Sequence, residues 1–176
     1  LLDDSRLAGS DGPLYVMTPP LRKQDDNREL QEALLAGEIQ VVATDHCSFT
    51  REQKLASRDC RTIFPGIPGT EELFPLMHTL AISSKRMSFG QLVDLLSTAP
   101  AKAFGLYPRK GTLQVGSDAD IVLFDPAFTW RLDSRTIHSG AHYTTYEGFD
   151  VTGKVVRTYR RGELLVCDGV YHGRSG

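Results

Sequence analysis

Cysteine is scarce in this chain. Cys47, Cys60 and Cys167 are the only three in 176 residues, odd in number and too widely spaced for a CxxC pair. They build no disulfide framework, and they suit a reducing cytoplasm. Long apolar runs are missing as well: nothing approaches ~18 uninterrupted apolar residues, so no membrane-spanning helix is expected. The opening Leu1-Leu2-Asp3-Asp4-Ser5-Arg6 lacks the basic region and apolar core of a secretory signal. Neither sign of charge is in excess, since 20 Lys and Arg against 22 Asp and Glu leave a formal −2. That balance argues against nucleic acid or anionic lipid as a partner. There is no repeat, heptad or low-complexity tract. The basic pairs Arg109-Lys110 and Arg160-Arg161 read as solvated turn charges.

The content is that of a globular protein, 40% hydrophobic and 24% charged, long enough for one domain or for one domain with part of another. The most informative stretch is Gln40-Val41-Val42-Ala43-Thr44-Asp45-His46-Cys47-Ser48. An apolar run ending abruptly in a carboxylate reads as a buried strand, Ile39 to Ala43, that delivers Asp45 to its C-terminal end, where α/β enzymes place their chemistry. In a straight strand Asp45 and Cys47 share one face and His46 takes the other. The plainer reading is a strand-end turn, with Asp45 capping the next segment and Cys47 packed as a small apolar residue.

Around that stretch the chain reads as follows. Leu14-Tyr15-Val16-Met17 is a short candidate strand stopped by Thr18-Pro19-Pro20. Asp26 to Leu35 is helical, capped at Asp26 or Asn27, with Leu30, Ala33 and Leu34 on its apolar face and Gly37 closing it. Thr50 to Pro68 has no period, and a loop of that length beside a strand-end carboxylate suits an active site. Thr70 is expected to cap a helix with Glu71 and Glu72 in its first turn, Leu73, Leu76, Met77 and Leu80 as its stripe and a kink at Pro75. His78 lies off that stripe and reads as a surface histidine. Ser88 and Gln91 form a capping box, and Thr98-Ala99-Pro100 is expected to start a second helix ended by Gly105. After Gly111 short strands follow: Thr112 to Val115, Ile121 to Phe124, and a hairpin of Val151 to Arg160 with Glu163 to Cys167 around Arg161-Gly162. His138 and His142 have helical spacing, but Ser139-Gly140 between them opposes a helix and a metal pair. Helices dominate before residue 110 and strands after it, which puts a boundary near Arg109 to Gly116 with a small β-sandwich beyond.

Val42-Ala43-Thr44-Asp45-His46-Cys47, Pro68-Gly69, Ser97-Thr98-Ala99-Pro100-Ala101-Lys102, Phe104-Gly105-Leu106-Tyr107-Pro108, Lys110-Gly111, Gly116-Ser117-Asp118-Ala119-Asp120, Tyr146-Glu147-Gly148 and Arg161-Gly162 together closely resemble the cyclic amidohydrolases of the dihydropyrimidinase and hydantoinase branch. The resemblance implies an α/β fold, a (β/α)8 TIM-type barrel with a β-sandwich, and a two-zinc centre. Its ligands in the family are an HxH pair, a carbamylated lysine and two histidines, followed by an aspartate after the last barrel strand. Asp45 matches that aspartate, which ligates metal and shuttles a proton to the leaving amide nitrogen. The other ligands lie upstream in the family and a barrel alone takes about 250 residues. The chain is therefore expected to be the C-terminal portion, with 1–110 as the last barrel strands and helices and 111–176 as part of the sandwich. Alone, it is expected to be inactive. The family holds a cyclic imide through backbone groups at positions matched here by Thr18, Pro65 and Gly66. Thr18 stands where the branch usually has Ser, and Pro65, where it has Asn, removes a backbone donor. The implied function is hydrolysis of dihydropyrimidines or hydantoins to N-carbamoyl amino acids by a cytoplasmic homo-oligomer. The alternatives are an allantoinase or dihydroorotase, or a non-catalytic scaffold like the neuronal response mediators, which lack the matching aspartate.

Overall fold

The computed structural model describes residues 1–83 and 85–173, so the last three residues of the segment 111–176 lie outside it. The chain forms two compact units, each discontinuous in sequence: residues 1–39, 44–73 and 131–150 make the first, and residues 40–43, 74–130 and 151 onward the second.

The first unit opens with two 3₁₀ turns, Asp4–Leu7 and Gly12–Tyr15. The second turn replaces the strand expected at Leu14 to Met17. Pro13 sits at its start, and the Leu14 and Val16 N–H groups close back on Asp11 O (2.9 Å) and Pro13 O (3.3 Å), leaving no ladder. Helix α1, Gln24–Leu35, begins before the expected cap; Asp26 acts from inside the first turn, accepting the Lys23 N–H at 3.1 Å. Gly37 N–H on Leu34 O (3.1 Å) and Glu38 N–H on Ala33 O (3.0 Å) close the helix where expected. Its apolar face is narrower than the sequence suggests, with Leu34 buried but Leu30 60% exposed. Helix α2, Arg51–Leu55, lies inside the stretch read as an aperiodic loop. A capping box starts it: the Gln53 N–H donates to Thr50 Oγ1 (3.2 Å) and the Thr50 N–H to Gln53 Oε1 (2.8 Å). Leu14, Ala141 and Tyr143 form a buried core, with Tyr15 and Leu55 packed against it.

Helix α3, Leu73–His78, starts after Glu71 and Glu72 and widens into a π turn over Thr79–Ser83. Pro75 therefore falls in the first turn, where its missing N–H leaves no bond unmade and no kink is required. Leu76 and Met77 are buried as expected. His78 is not a surface residue: it is 2% exposed, with Nδ1 2.7 Å from Thr152 O and its ring edge-on to Phe124.

Helix α4, Phe89–Val93, has the predicted capping box, with Gln91 N–H on Ser88 Oγ at 3.2 Å and Ser88 N–H on Gln91 Oε1 at 2.9 Å. The expected helix does follow Thr98, with Pro100 in its first turn, but it is not a separate element. A π turn, Asp94–Thr98, carries the backbone directly into α5, Ala99–Ala103, with Ala99 N–H donating to Asp94 O. In that register Leu95 O would face residue 100, a proline with no N–H, and it accepts the Val42 N–H instead at 3.4 Å. Residues 39–43 accordingly form no regular strand, and Val41 is exposed.

The sheet has the order β1-β2-β3-β4, from Ile121–Arg131, Asp150–Arg160, Glu163–Cys167 and Val170–Tyr171. β1 runs well past the expected Phe124. It tolerates Pro126 because it is an edge strand among the described residues. Thr112 to Val115 is not a strand; Asp118 N–H closes on Arg109 O at 2.8 Å, and Lys110 is held by Asp118 (2.9 Å) and Asp120 rather than freely solvated. β2 and β3 form the expected hairpin, with Arg160 opposite Glu163 and left-handed φ at both turn residues, 50° at Arg161 and 82° at Gly162. A second such turn, Asp168-Gly169, leads into β4.

Gly153 on β2 has φ +104°, and a Cβ there would lie 2.2 Å from Phe124 Cζ and 2.9 Å from His78 Nδ1. Both neighbours are rigid rings. Gly153→Ala is expected to destabilise the protein by at least about 2 kcal/mol, read as a lowered urea midpoint at unchanged m; a midpoint at the wild-type value would contradict the packing described.

Candidate active site

Asp45 sits on a left-handed turn, φ +48°, with its side chain exposed. Aspartate tolerates that conformation at a cost on the order of 1 kcal/mol. The turn ends any strand geometry, so the simple alternation expected for Asp45, His46 and Cys47 does not hold. The next residues are anchored by their backbones and rings. His46 N–H donates to Thr44 Oγ1 (3.2 Å), and Gly69 N–H donates to His46 Nδ1 (3.2 Å), which leaves the ring proton of the neutral form on Nε2. Cys47 N–H donates to Ile67 O at 3.1 Å. The cap expected of Asp45 is supplied by Thr50.

The facing loop is Phe64 to Ile67. Gly66 is buried, and a Cβ there would fall 2.3 Å from Cys47 O, so no side chain fits. Its N–H donates to Val16 O at 3.1 Å. Thr18, two residues after Val16, and Pro65 are both exposed. Phe64 stacks on Phe49 with ring centroids 4.7 Å apart. The stretches carrying Asp45, Thr18 and Pro65-Gly66 are thus brought together by backbone bonds to this one loop.

At its centre is a residue the sequence reading passed over. Lys54, on α2, is 0% exposed, and its Nζ donates to Val16 O (2.6 Å), Phe64 O (2.8 Å) and Gly66 O (2.9 Å). Burial lowers its pKa to about 8, opposed in part by Cys47. The Thr50 and Gln53 capping box was the available signal: it defines a helix whose fourth residue is Lys54.

Beside the Asp45 turn, His46, Ser48, Thr70, Glu71, Glu72 and His138 line an open cavity of about 320 Å³. The Glu71 carboxylate accepts the His138 N–H at 2.8 Å and lies 3.0 Å from its Nδ1, so His138 is engaged with Glu71 rather than paired with His142. Glu72 Oε1 is buried without a hydrogen-bond partner. Among the described residues no group of three or more His, Cys, Asp or Glu side chains is placed to hold a metal ion. Asp45 fits a metal centre only as one carboxylate ligand of a larger set.

The amidohydrolase family model matches residues 5–165. The chain belongs to the amidohydrolase family. Over its whole length this amidohydrolase chain is 38% identical to a D-phenylhydantoinase of Escherichia coli, of which it spans 39%. The D-hydantoinase (dihydropyrimidinase) from Thermus sp. superposes on 99% of it at 40% identity and a TM-score of 0.93, again with 39% of that enzyme covered. The dihydropyrimidinase of Brevibacillus agri gives 37% identity and a TM-score of 0.91 over 97% of the chain and 38% of its own. The expected resemblance to a portion of a dihydropyrimidinase or hydantoinase therefore holds.

Lys54 also fixes a pH dependence. Its folded pKa, about 8, is below the ordinary 10.5, so between these values the unfolded chain binds more protons and stability rises with pH. This contribution is complete above the unfolded value and lost as pH falls through about 8. Wild type is expected to gain stability over Lys54→Met as pH is raised from 7.5 to about 10; parallel denaturation curves for the two proteins across that range would contradict the burial of a titrating ammonium.

Proposed function

We propose that the complete protein opens the ring of a cyclic ureide, a dihydropyrimidine or hydantoin, to an N-carbamoyl amino acid. Residues 1–110 would contribute the last part of the barrel and 111–176 part of the sandwich. The observation that carries the reading is Asp45: an exposed carboxylate on a left-handed turn, in a chain whose hydantoinase similarity runs from end to end. The reaction adds water across an amide. Hydroxyl goes to the ring carbonyl carbon, the C–N bond breaks, and the released nitrogen takes a proton. Asp45 accepts the proton of the attacking water and returns it to the leaving nitrogen. Zinc, when bound, supplies a water acidified to a pKa of about 7; Asp45 is its proposed ligand in this chain. Thr18, Pro65 and Gly66 receive the ring. Pro65 has no N–H and the Gly66 N–H is taken by Val16 O, so those two donors are withdrawn from substrate. We place the enzyme in the cytoplasm as a homo-oligomer, acting on a small molecule.

In the complete enzyme, Asp45→Ala is expected to lower ring opening by at least about 10³-fold, followed as loss of the ureide at constant enzyme concentration. Near-normal turnover by a folded variant would remove Asp45 from the mechanism. The 176-residue chain alone is expected to retain no stoichiometric zinc after gel filtration, and elemental analysis showing a tightly held ion per chain would reject the shared-ligand reading.

A further inference from the structure

We propose that Lys54 is a positioning residue for ring recognition: its ammonium sets the backbone of residues 16–18 against that of residues 64–66, so that Thr18 and Pro65-Gly66 meet a cyclic ureide at one fixed spacing. The proposal rests on the functional reading above and deepens it.

The acceptors decide the matter. An ammonium has three hydrogens, and all three go to carbonyls of the two recognition segments: Val16, two residues before Thr18; Phe64, directly before Pro65; and Gly66 itself. Val16 O also takes the Gly66 N–H, so one oxygen joins the segments directly and through the lysine. The lysine is itself held, because α2 is capped at Thr50 and its next residue, Leu55, packs on the Leu14, Ala141 and Tyr143 core. A buried charge is a poor device for stability alone, since an apolar chain of the same length avoids the desolvation. What the ammonium adds is direction: three convergent bonds fix two loops that apolar contact would leave free to slide. All three of its hydrogen bonds go to backbone carbonyls, so its effect reaches substrate through backbone placement.

The test uses the complete enzyme with dihydrouracil and hydantoin as substrates. Lys54→Met is expected to raise KM for both rings at least about tenfold, with kcat/KM falling toward about 10²-fold as misplaced recognition groups allow, and to change the preference between the six- and five-membered ring. Zinc content is expected to match wild type. A merely structural lysine would instead reduce the active fraction, lowering kcat with KM and ring preference unchanged, and that result overturns the proposal. If Lys54→Met fails to fold, Lys54→Arg decides: it keeps the charge but offers a planar fork to three convergent carbonyls, and is expected to shift KM and preference the same way. A folded Arg variant with wild-type values overturns the proposal, as does failure of both variants to fold, which would make the role structural. Wild-type enzyme inactive on both rings would overturn the functional reading itself, a result separable from any behaviour of the variants.

Discussion

An ammonium taken out of water must find an acceptor for each hydrogen or give up its charge. Lys54 meets that demand with three backbone carbonyls, and much of the first unit is arranged so that those carbonyls converge. Phe64 and Gly66 supply two of them from a loop whose backbone passes close enough to Cys47 to exclude a Cβ at Gly66. Val16 supplies the third because a 3₁₀ turn, rather than a strand, brings it there. The Asp45 segment is fastened to the same loop through Cys47 and Ile67. One buried cation therefore organises loops that have no secondary structure of their own to hold them.

The second unit solves a different problem with rings. Phe74, His78, Phe89 and Phe124 contact one another with centroids 4.4 to 6.3 Å apart. Thr152 O takes the His78 Nδ1 proton, and Gly153 leaves the space the rings occupy. Edge and tilted contacts of this kind add to the area they bury.

What the sequence made legible was local. The Ser88 and Gln91 box, the closure at Gly37 and the Arg161-Gly162 turn are each decided within a few residues, and each stands where expected. What it concealed was set by distant partners. His78 looked exposed because it lies off the Leu73, Leu76, Met77 stripe, but its neighbours Phe124 and Thr152 come from far along the chain. Nothing local marks Lys54 as buried, and its three carbonyl partners lie between 10 and 38 residues away. The run at 39–43 had the composition of a strand, yet a strand exists only by pairing, and the Val42 N–H goes to a helix carbonyl left free by Pro100. For the candidate site, the motif around Asp45 and the family were readable; the bonds that join the backbones at Val16, Phe64 and Gly66, and at Cys47 and Ile67, were not.

The two tight turns at Arg161-Gly162 and Asp168-Gly169 have a kinetic side. β2 pairs with β3 and β3 with β4 across two-residue connections, so the loops to be closed are about as short as a chain permits and cost little entropy. Hairpins of this type form within about 1–10 μs. The Lys54 cluster has the opposite character, since Val16 must meet a residue 38 positions away and Leu14 must meet Tyr143. Contacts of such separation are slow to find. During refolding of the whole chain, the C-terminal meander would be in place while the loops around Lys54 were still searching, and those loops would be the last to acquire their shape.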